Sequence, residues 1–407
     1  MNALKTAFFI AYKSIVRGRK GTFFLYMLIL SLSFFNMMFI PSVFSGLLNT
    51  ITQLEINTST SDIAVSPQEN PTPRQFIPNQ SLLRAQINTI PGVIASTPVY
   101  LTAGSVSYDK DKNGVYRTMS GQIYGIEPSN AEKVLTLNQY LVAGQPLSDD
   151  DTDQIVLSAG IAGGYELPVA SDLGGAKVGD KVNVTYANGI TRTYTVKGIV
   201  KVVFGTALTS MYVSSKEAQS VLSTSDTASQ ILVKTDLTHN SLDYYDRRIQ
   251  DLAPNLKVQT YTEMLAAIQP ILKAFTLIAF IVSAISILVA TVTIFVMIYI
   301  NAVSKRRQIG ILKAIGIKER IIVYSYVFQA LFYVACGIFA GLVVVFGIAT
   351  PILANYPIQL PFGPLRVTFG TELVTLSIIG FTIAGFISGF IPARLVAREE
   401  ILNAIWG

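Results

Sequence analysis

The stretch AFTLIAFIVSAISILVATVTIFVMIYINAVSKRRQIGILKAIGIKER, residues 274–320, decides the architecture of this chain. Residues 274–300 contain no Asp, Glu, Lys or Arg. They exceed the roughly 20 helical residues that about 30 Å of hydrocarbon requires at about 1.5 Å per residue. The residues that follow carry Lys305, Arg306, Arg307, Lys313, Lys318 and Arg320 against one acid, Glu319. A helix suited to the bilayer therefore runs straight into a basic segment that must stay in water.

Three further runs of the same kind lie on either side, at residues 22–48, about 321–353, and 373–391, again without a charged side chain. They account for a composition that is 51% hydrophobic and 14% charged, where a soluble protein is charged at about a quarter of its positions. The first run is too long for the roughly 7–15 residue apolar core of a cleaved signal peptide and reads as a retained span. Residues 49–267, between the first and second spans, are mixed in character and long enough to fold as a domain. The only cysteine, Cys336, lies in the third run, so that domain contains no disulfide and is held by its own core.

The net charge of +6 is unevenly placed. Residues 1–22 carry Lys5, Lys13, Arg17, Arg19 and Lys20 with no acid, and the loop at 301–321 is basic, whereas residues 49–267 carry 16 basic against 21 acidic side chains, net −5. This is the positive-inside pattern of a membrane protein, not the basic surface of a nucleic-acid binder. It places both termini and the loop 304–320 in the cytoplasm and the large domain outside. The expected fold class is an α-helical membrane protein with four transmembrane helices and a mixed α+β extracytoplasmic domain inserted between helices 1 and 2. The expected divisions are residues 1–48, an amino-terminal segment and span one; 49–267, the outer domain; and 268–407, spans two to four with the cytoplasmic segment 304–320 and a cytoplasmic tail from Pro392.

In the outer domain, residues 181–201 alternate around Asn188-Gly189 and predict a hairpin with a primed turn. Helices are expected at 81–89, near Pro128 with Ser129 as N-cap, at 214–222 and at 242–252, and strands at 154–157 and 230–234. The pattern before span two predicts a helix from about Thr262 to Asn301, longer than the bilayer is thick, so that its first turns project as a stalk.

The segment 304–320 reads as one amphipathic helix with Ile309, Leu312, Ile315 and Gly316 on one face. Alone it fits a helix resting on anionic headgroups, so membrane lipid is an expected partner. Gly337 and Gly341 in span three, and Gly385 and Gly389 in span four, form G-x-x-x-G pairs that suit close helix packing, within the chain or at a dimer seam. Asn36 in span one is expected to hydrogen-bond within the packed helices. No catalytic or metal constellation is legible: His239 lies in a polar stretch with no second ligand, and Asp149–Asp151 with Asp153 lack the spacing of a calcium loop. There is no Gly-Lys pair and hence no phosphate-cradling G-x-x-x-x-G-K-[ST] loop, so the chain is not expected to be an ATPase.

Four strings carry a family resemblance: QIGILKAIG at 308–316, IPARLVAREEILNAI at 391–405, YGIEPSNAEKV at 124–134 and KVGDKVNVTYANG at 177–189. In this order, with one span before the large domain and three after it, the chain resembles the FtsX-like and MacB-like ABC transporter permeases, whose outer domain is the MacB-type periplasmic core. The resemblance implies a permease subunit whose separate ATPase partner binds ATP and Mg and docks on the coupling segment, with Arg306, Arg307, Gln308, Ile309, Leu312, Lys313 and Gly316 as contacts. It also implies a second copy of the permease, as a homodimer or related heterodimer, an adaptor or cargo protein, and work on efflux substrates or lipoproteins outside the cytoplasm. An FtsX-type regulator, or an anchored binding or signalling protein without transport, is the alternative. Gln308 stands where the family usually has an acid, which removes the salt bridge expected there.

Overall fold

The computed structural model describes residues 3–16, 20–68, 76–167, 169–203, 205–360, 363–365 and 367–398. Among them, four helices are long and apolar enough to cross a membrane: Lys20–Thr60, Gln269–Ser304, Glu319–Asn355 and Thr371–Ala397. The chain is thus a four-span membrane protein with an α+β domain between its first two spans. By contact it divides into one unit of Met1–Leu48, Ile271–Gln359 and Pro364–Gly407 and another of Asn49–Pro270 and Leu360–Gly363.

In the helical unit the spans are apolar on all sides. Phe280, Leu288, Phe339 and Leu376 are each more than 60% exposed, and lipid is the solvent they suit. Association in such a solvent rests on close packing, so small residues line the seams. A Cβ added at Gly337 would lie 2.7 Å from Leu30, and one at Gly341 2.6 Å from Phe34. Gly385 would meet Val334 at 2.3 Å, and Gly389 would meet Ala330 at 2.5 Å. Both G-x-x-x-G pairs are therefore occupied by helices of this same chain, the first by span one and the second by span three. Phe34 meets Phe381 edge to face at 5.4 Å between ring centroids, joining spans one and four across the core.

Several expectations at the span ends are corrected. The helix of span two begins at Gln269, not near Thr262; a short helix Tyr261–Met264 and a 3₁₀ turn Leu265–Ile268 precede it. Pro270 explains the restart, because a residue without an N–H is accommodated in a first turn. At 36 residues the helix is still about 54 Å long. Pro392, read as the exit from span four, lies inside Thr371–Ala397, and the helix continues past it for more than a turn. Proline is tolerated there because it is buried among neighbouring helices. Asn36, expected to face the packed helices, is exposed and has no hydrogen-bond partner among the described residues. In span three a π-helical stretch, Val343–Ala349, precedes Pro351; the Thr350 hydroxyl donates to the Val345 carbonyl at 2.9 Å and occupies one acceptor in the widened turn. Of the tail, only residues up to Arg398 are described, so the end of the string at 391–405 lies outside them.

The other unit is built on a mixed sheet of ten strands among the described residues: β1 (Ile63–Pro67), β2 (Val93–Tyr108), β3 (Arg117–Ile126), β4 (Leu141–Gly144), β5 (Gln154–Ser158), β6 (Lys181–Tyr186), β7 (Thr191–Val200), β8 (Ser210–Ser214), β9 (Gln230–Thr235) and β10 (Leu256–Thr260). The order is β10-β1-β9-β2-β3-β8-β5-β7-β4, with β6 closing onto both β2 and β7. Two parallel pairs, β3 with β8 and β5 with β7, interrupt an otherwise antiparallel ladder. At one end, Ile63, Val65, Ile231 and Val233 are buried with Ile87 of helix Gln80–Ile87 and Tyr245 and Ile249 of helix Leu242–Leu252.

The hairpin at 181–201 forms, but its turn differs from the expected one. Gly189 N–H donates to the Tyr186 carbonyl and Tyr186 N–H to the Ile190 carbonyl, both at 2.9 Å, and Gly189 alone has positive φ, 84°. This is a three-residue loop, a type I turn followed by a left-handed glycine, and Asn188 instead donates its amide to the Val221 carbonyl at 2.9 Å. Ser129 does not cap its helix; Pro128 takes the first position after Glu127. Ser214 does cap the next one, accepting from Glu217 N–H at 3.2 Å.

The acidic run is spent on local ties. Asp151 pairs with Lys197 at 2.6 Å, Asp150 pairs with Lys216, and Asp149 accepts from Ser129 N–H at 3.1 Å. His239 is exposed beside Asp236. Buried Asp62, just after span one, accepts from Lys234 Nζ at 2.9 Å and Thr235 N–H at 2.8 Å, locking the domain's first strand to β9. No cluster of metal-ligating side chains occurs among the described residues.

Candidate partner-docking site at the basic end of the helical unit

The expected single helix over 304–320 is a helix, a turn and the start of another helix. Span two ends at Ser304, Lys305 breaks the rod, and a nine-residue helix, Arg306–Ala314, follows. We refer to it as the docking helix, after the role expected of this segment. Gly316 ends it with φ 94°; Ile317 N–H donates to the Leu312 carbonyl and Gly316 N–H to the Lys313 carbonyl, both at 3.0 Å. That pair of bonds is a Schellman cap, which needs a left-handed residue where glycine stands.

This geometry redistributes the residues expected to contact a partner. Ile309 is 4% exposed and belongs to the core of the spans, with Ile322, Tyr326 and Ala393. It anchors the helix and is not presented for contact. Lys313 turns inward as well, donating from Nζ to the Ala397 carbonyl at 2.7 Å, at the end of span four, where the unpaired carbonyls of a helix terminus favour a cation. Gly316 serves the turn. Arg306, Arg307 and Gln308 stay exposed, and Leu312 is half-buried. The exposed face is Arg307, Ile311, Ala314 and Ile315, with Ile311 47% and Ile315 75% exposed. Ile311 lies about 200° around the helix from Ile309, opposite the face that the periodicity marks as apolar, and Gly316 following Lys313 is the signal of the break.

A second element was missed altogether. Residues Ala3–Val16 form a helix that buries Ala7 and Ala11 and exposes Leu4, Phe8, Phe9, Tyr12 and Val16, each by more than half. The spacing of Ala7, Ala11 and Ser14 was its signal, three small residues on one helical face. This amino-terminal helix packs on span three: Phe8 meets Phe328 edge to face at 6.0 Å, and Ser14 donates to Gln329 Oε1 at 3.3 Å. Lys305, at the break before the docking helix, donates to Ser14 Oγ. Burial without a carboxylate in reach pulls the Lys305 ammonium below its ordinary pKa. Between the amino-terminal helix, the docking helix and span three lies a cavity of about 450 Å³.

Residues 280–401 match the family described as FtsX-like permease C-terminal. Among curated proteins, a macrolide export ATP-binding/permease protein MacB of Azoarcus sp. (strain BH72) is 30% identical over 125 residues, 30% of this chain and 18% of that protein. An uncharacterized ABC transporter permease of Methanocaldococcus jannaschii is 27% identical over 155 residues, 38% of each. The chain therefore covers only about a fifth of the length of that MacB protein. The periplasmic region of MacB from Actinobacillus actinomycetemcomitans gives a TM-score of 0.36 at 13% identity, over 53% of this chain and 95% of that one.

The helices after the large domain thus carry a region similar to the C-terminal part of the FtsX-like permeases, at residues 280–401. The resemblance to the FtsX-like and MacB-like ABC transporter permeases, first read from the four strings, holds.

Proposed function

We propose that the chain is the permease subunit of an ABC transporter, driven by a separate ATPase subunit that binds ATP and Mg and docks on Arg307, Ile311, Ala314 and Ile315. The observation that carries this reading is the mounting of the docking helix. It follows span two after a single residue, is pinned to the core through Ile309, and is tied to span four through Lys313. A push on such a helix is delivered to the spans, where a helix floating on headgroups would yield. Ile311 and Ile315 offer apolar anchors with a basic rim, the composition of a protein-contact patch.

The positive-inside rule supports both termini and the docking helix in the cytoplasm and the large domain outside. The runs 22–48, 274–300, 321–353 and 373–391 carry no charged side chain and give no lining for a polar pore, which favours substrates engaged by the outer domain or taken laterally from the bilayer. A second copy of the chain is supported by Asn36, an amide on the lipid-facing side of span one that a partner helix would satisfy.

The test uses Ile311→Cys and Ile315→Cys in a Cys336→Ser background. Tagged protein from native membranes is expected to bring down an ATPase that cross-links at both positions and not at Asn113→Cys in the large domain. Ile315→Cys is expected to react with an impermeant maleimide only after the cell membrane is opened. Labelling in intact cells, or repeated purification without an ATPase, overturns the reading in favour of an anchored protein that works without one.

A further inference from the structure

The cavity beneath the docking helix has two kinds of wall. Ile10, Ile309, Leu312 and Ile322 are the apolar part of its lining, and Lys13, Lys305 and Ser325, with Ser14, Gln308 and Gln329, the polar part. Lys13 touches only the face of the Phe9 ring, at 6.0 Å, and Lys305 only the Ser14 hydroxyl; neither has an anionic partner among the described residues. Ser325 is 1% exposed, and its hydroxyl has no hydrogen-bond partner. A buried hydroxyl left unpaired is costly, and so is the half-buried Lys305 ammonium with no counter-charge, while Lys13 is an exposed second cation. Each is relieved by the same ligand, an anion with acceptor oxygens. A cavity of this size, mostly apolar with a few convergent polar groups, is of the kind that holds small ligands.

The surroundings specify the ligand further. One wall is the amino-terminal helix, whose exposed stripe of Leu4, Phe8 and Tyr12 suits a helix lying at the bilayer interface. The cavity therefore opens where headgroups meet hydrocarbon. An anion arriving there with an apolar tail satisfies both walls, whereas a soluble phosphate leaves Ile10 and Leu312 uncovered.

We propose that this cavity is a binding site for one anionic glycerophospholipid, its phosphate held between Lys13 and Lys305 with Ser325 as a further donor and an acyl chain along Ile10 and Ile322. Bound lipid bridges the amino-terminal helix to the docking helix. The site rests on the reading of this end as the face that meets the ATPase, but its test needs no ATPase, so the two can fail separately.

The experiment is a thermal-shift titration of the full chain in a non-ionic detergent with dioctanoyl-phosphatidylglycerol, dioctanoyl-phosphatidylcholine and inorganic phosphate. Saturable stabilisation is expected with phosphatidylglycerol only. The Lys13→Gln/Lys305→Gln variant is expected to weaken it about tenfold or more, since charge-assisted hydrogen bonds are lost. Ile10→Trp, which fills the apolar side and keeps both lysines, abolishes it, so the result does not hang on one variant folding. Lys318→Gln, an exposed lysine outside the cavity, leaves it unchanged. Equal stabilisation by phosphatidylcholine, an equal loss in Lys318→Gln, or stabilisation by inorganic phosphate at similar concentration overturns the proposal, the last by making the site one for a free anion.

Discussion

Replacing Gly316 with alanine isolates the turn that makes the docking helix a separate element. A Cβ at this position meets no atom within 4 Å, so the substitution introduces no clash with the rest of the protein. What remains is the backbone: at φ 94°, an L-residue crowds its own carbonyl, at a cost of about 1–2 kcal/mol. That cost falls on the two cap bonds, from Ile317 to Leu312 and from Gly316 to Lys313. Hydrogen exchange at residues 316 and 317 in the reconstituted protein is then expected to rise about 5- to 30-fold, since about 1.4 kcal/mol is a tenfold change in an opening equilibrium. Gly316→Asn is expected to fall between the two, because asparagine tolerates the left-handed region better. Gly347, inside a helix with only Val343 near, serves as control, and Gly347→Ala should be neutral or mildly stabilising. Exchange in Gly316→Ala indistinguishable from the parent would refute the left-handed cap, and with it the division of 304–320 into two helices.

Three further outcomes test other parts of the structure. Gly385→Ala forces a Cβ to within 2.3 Å of Val334 and is expected to destabilise the helical unit by about 1–3 kcal/mol, seen as a lowered melting temperature, while Gly370→Ala, in open space, is silent. Asn36→Leu is expected to weaken self-association by about 1–2 kcal/mol in a detergent cross-linking titration, whereas the same change would leave a chain that stays monomeric unaltered. In the large domain, the hydrogen bond of Tyr108 to Asp180, 2.6 Å long, pushes the Tyr108 phenol up to about 12. The folded state thus holds a proton that the unfolded chain releases near 10, so this contribution is full below pH 10 and is lost as pH rises to 12. Ultraviolet titration should show Asp180→Asn returning Tyr108 toward its ordinary pKa, and an unchanged titration would remove Asp180 as the cause.

Much of the architecture was legible because it follows from transfer free energies that act locally. Four charge-free runs of adequate length specify four spans wherever the rest of the chain goes, and the hairpin at 181–201 and the helix Leu242–Leu252 follow from alternation and period. Long strands such as Val93–Tyr108 were less visible, since their pairing partners, β3, β9 and β6, come from distant sequence and supply what local propensity lacks.

By itself the sequence determined that the chain spans a membrane four times, which end of the helices is basic, and that a folded domain separates the first two spans. These depend on how far each segment prefers lipid to water. Which face of the docking helix looks outward was a tertiary decision: Ile309 and Ile311 are the same residue type two positions apart, and only the fit of Ile309 among Ile322, Tyr326 and Ala393 leaves Ile311 exposed. The partners of Gly337, Gly341, Gly385 and Gly389 were likewise decided in three dimensions, because a small residue states that something comes close and leaves open which helix it is.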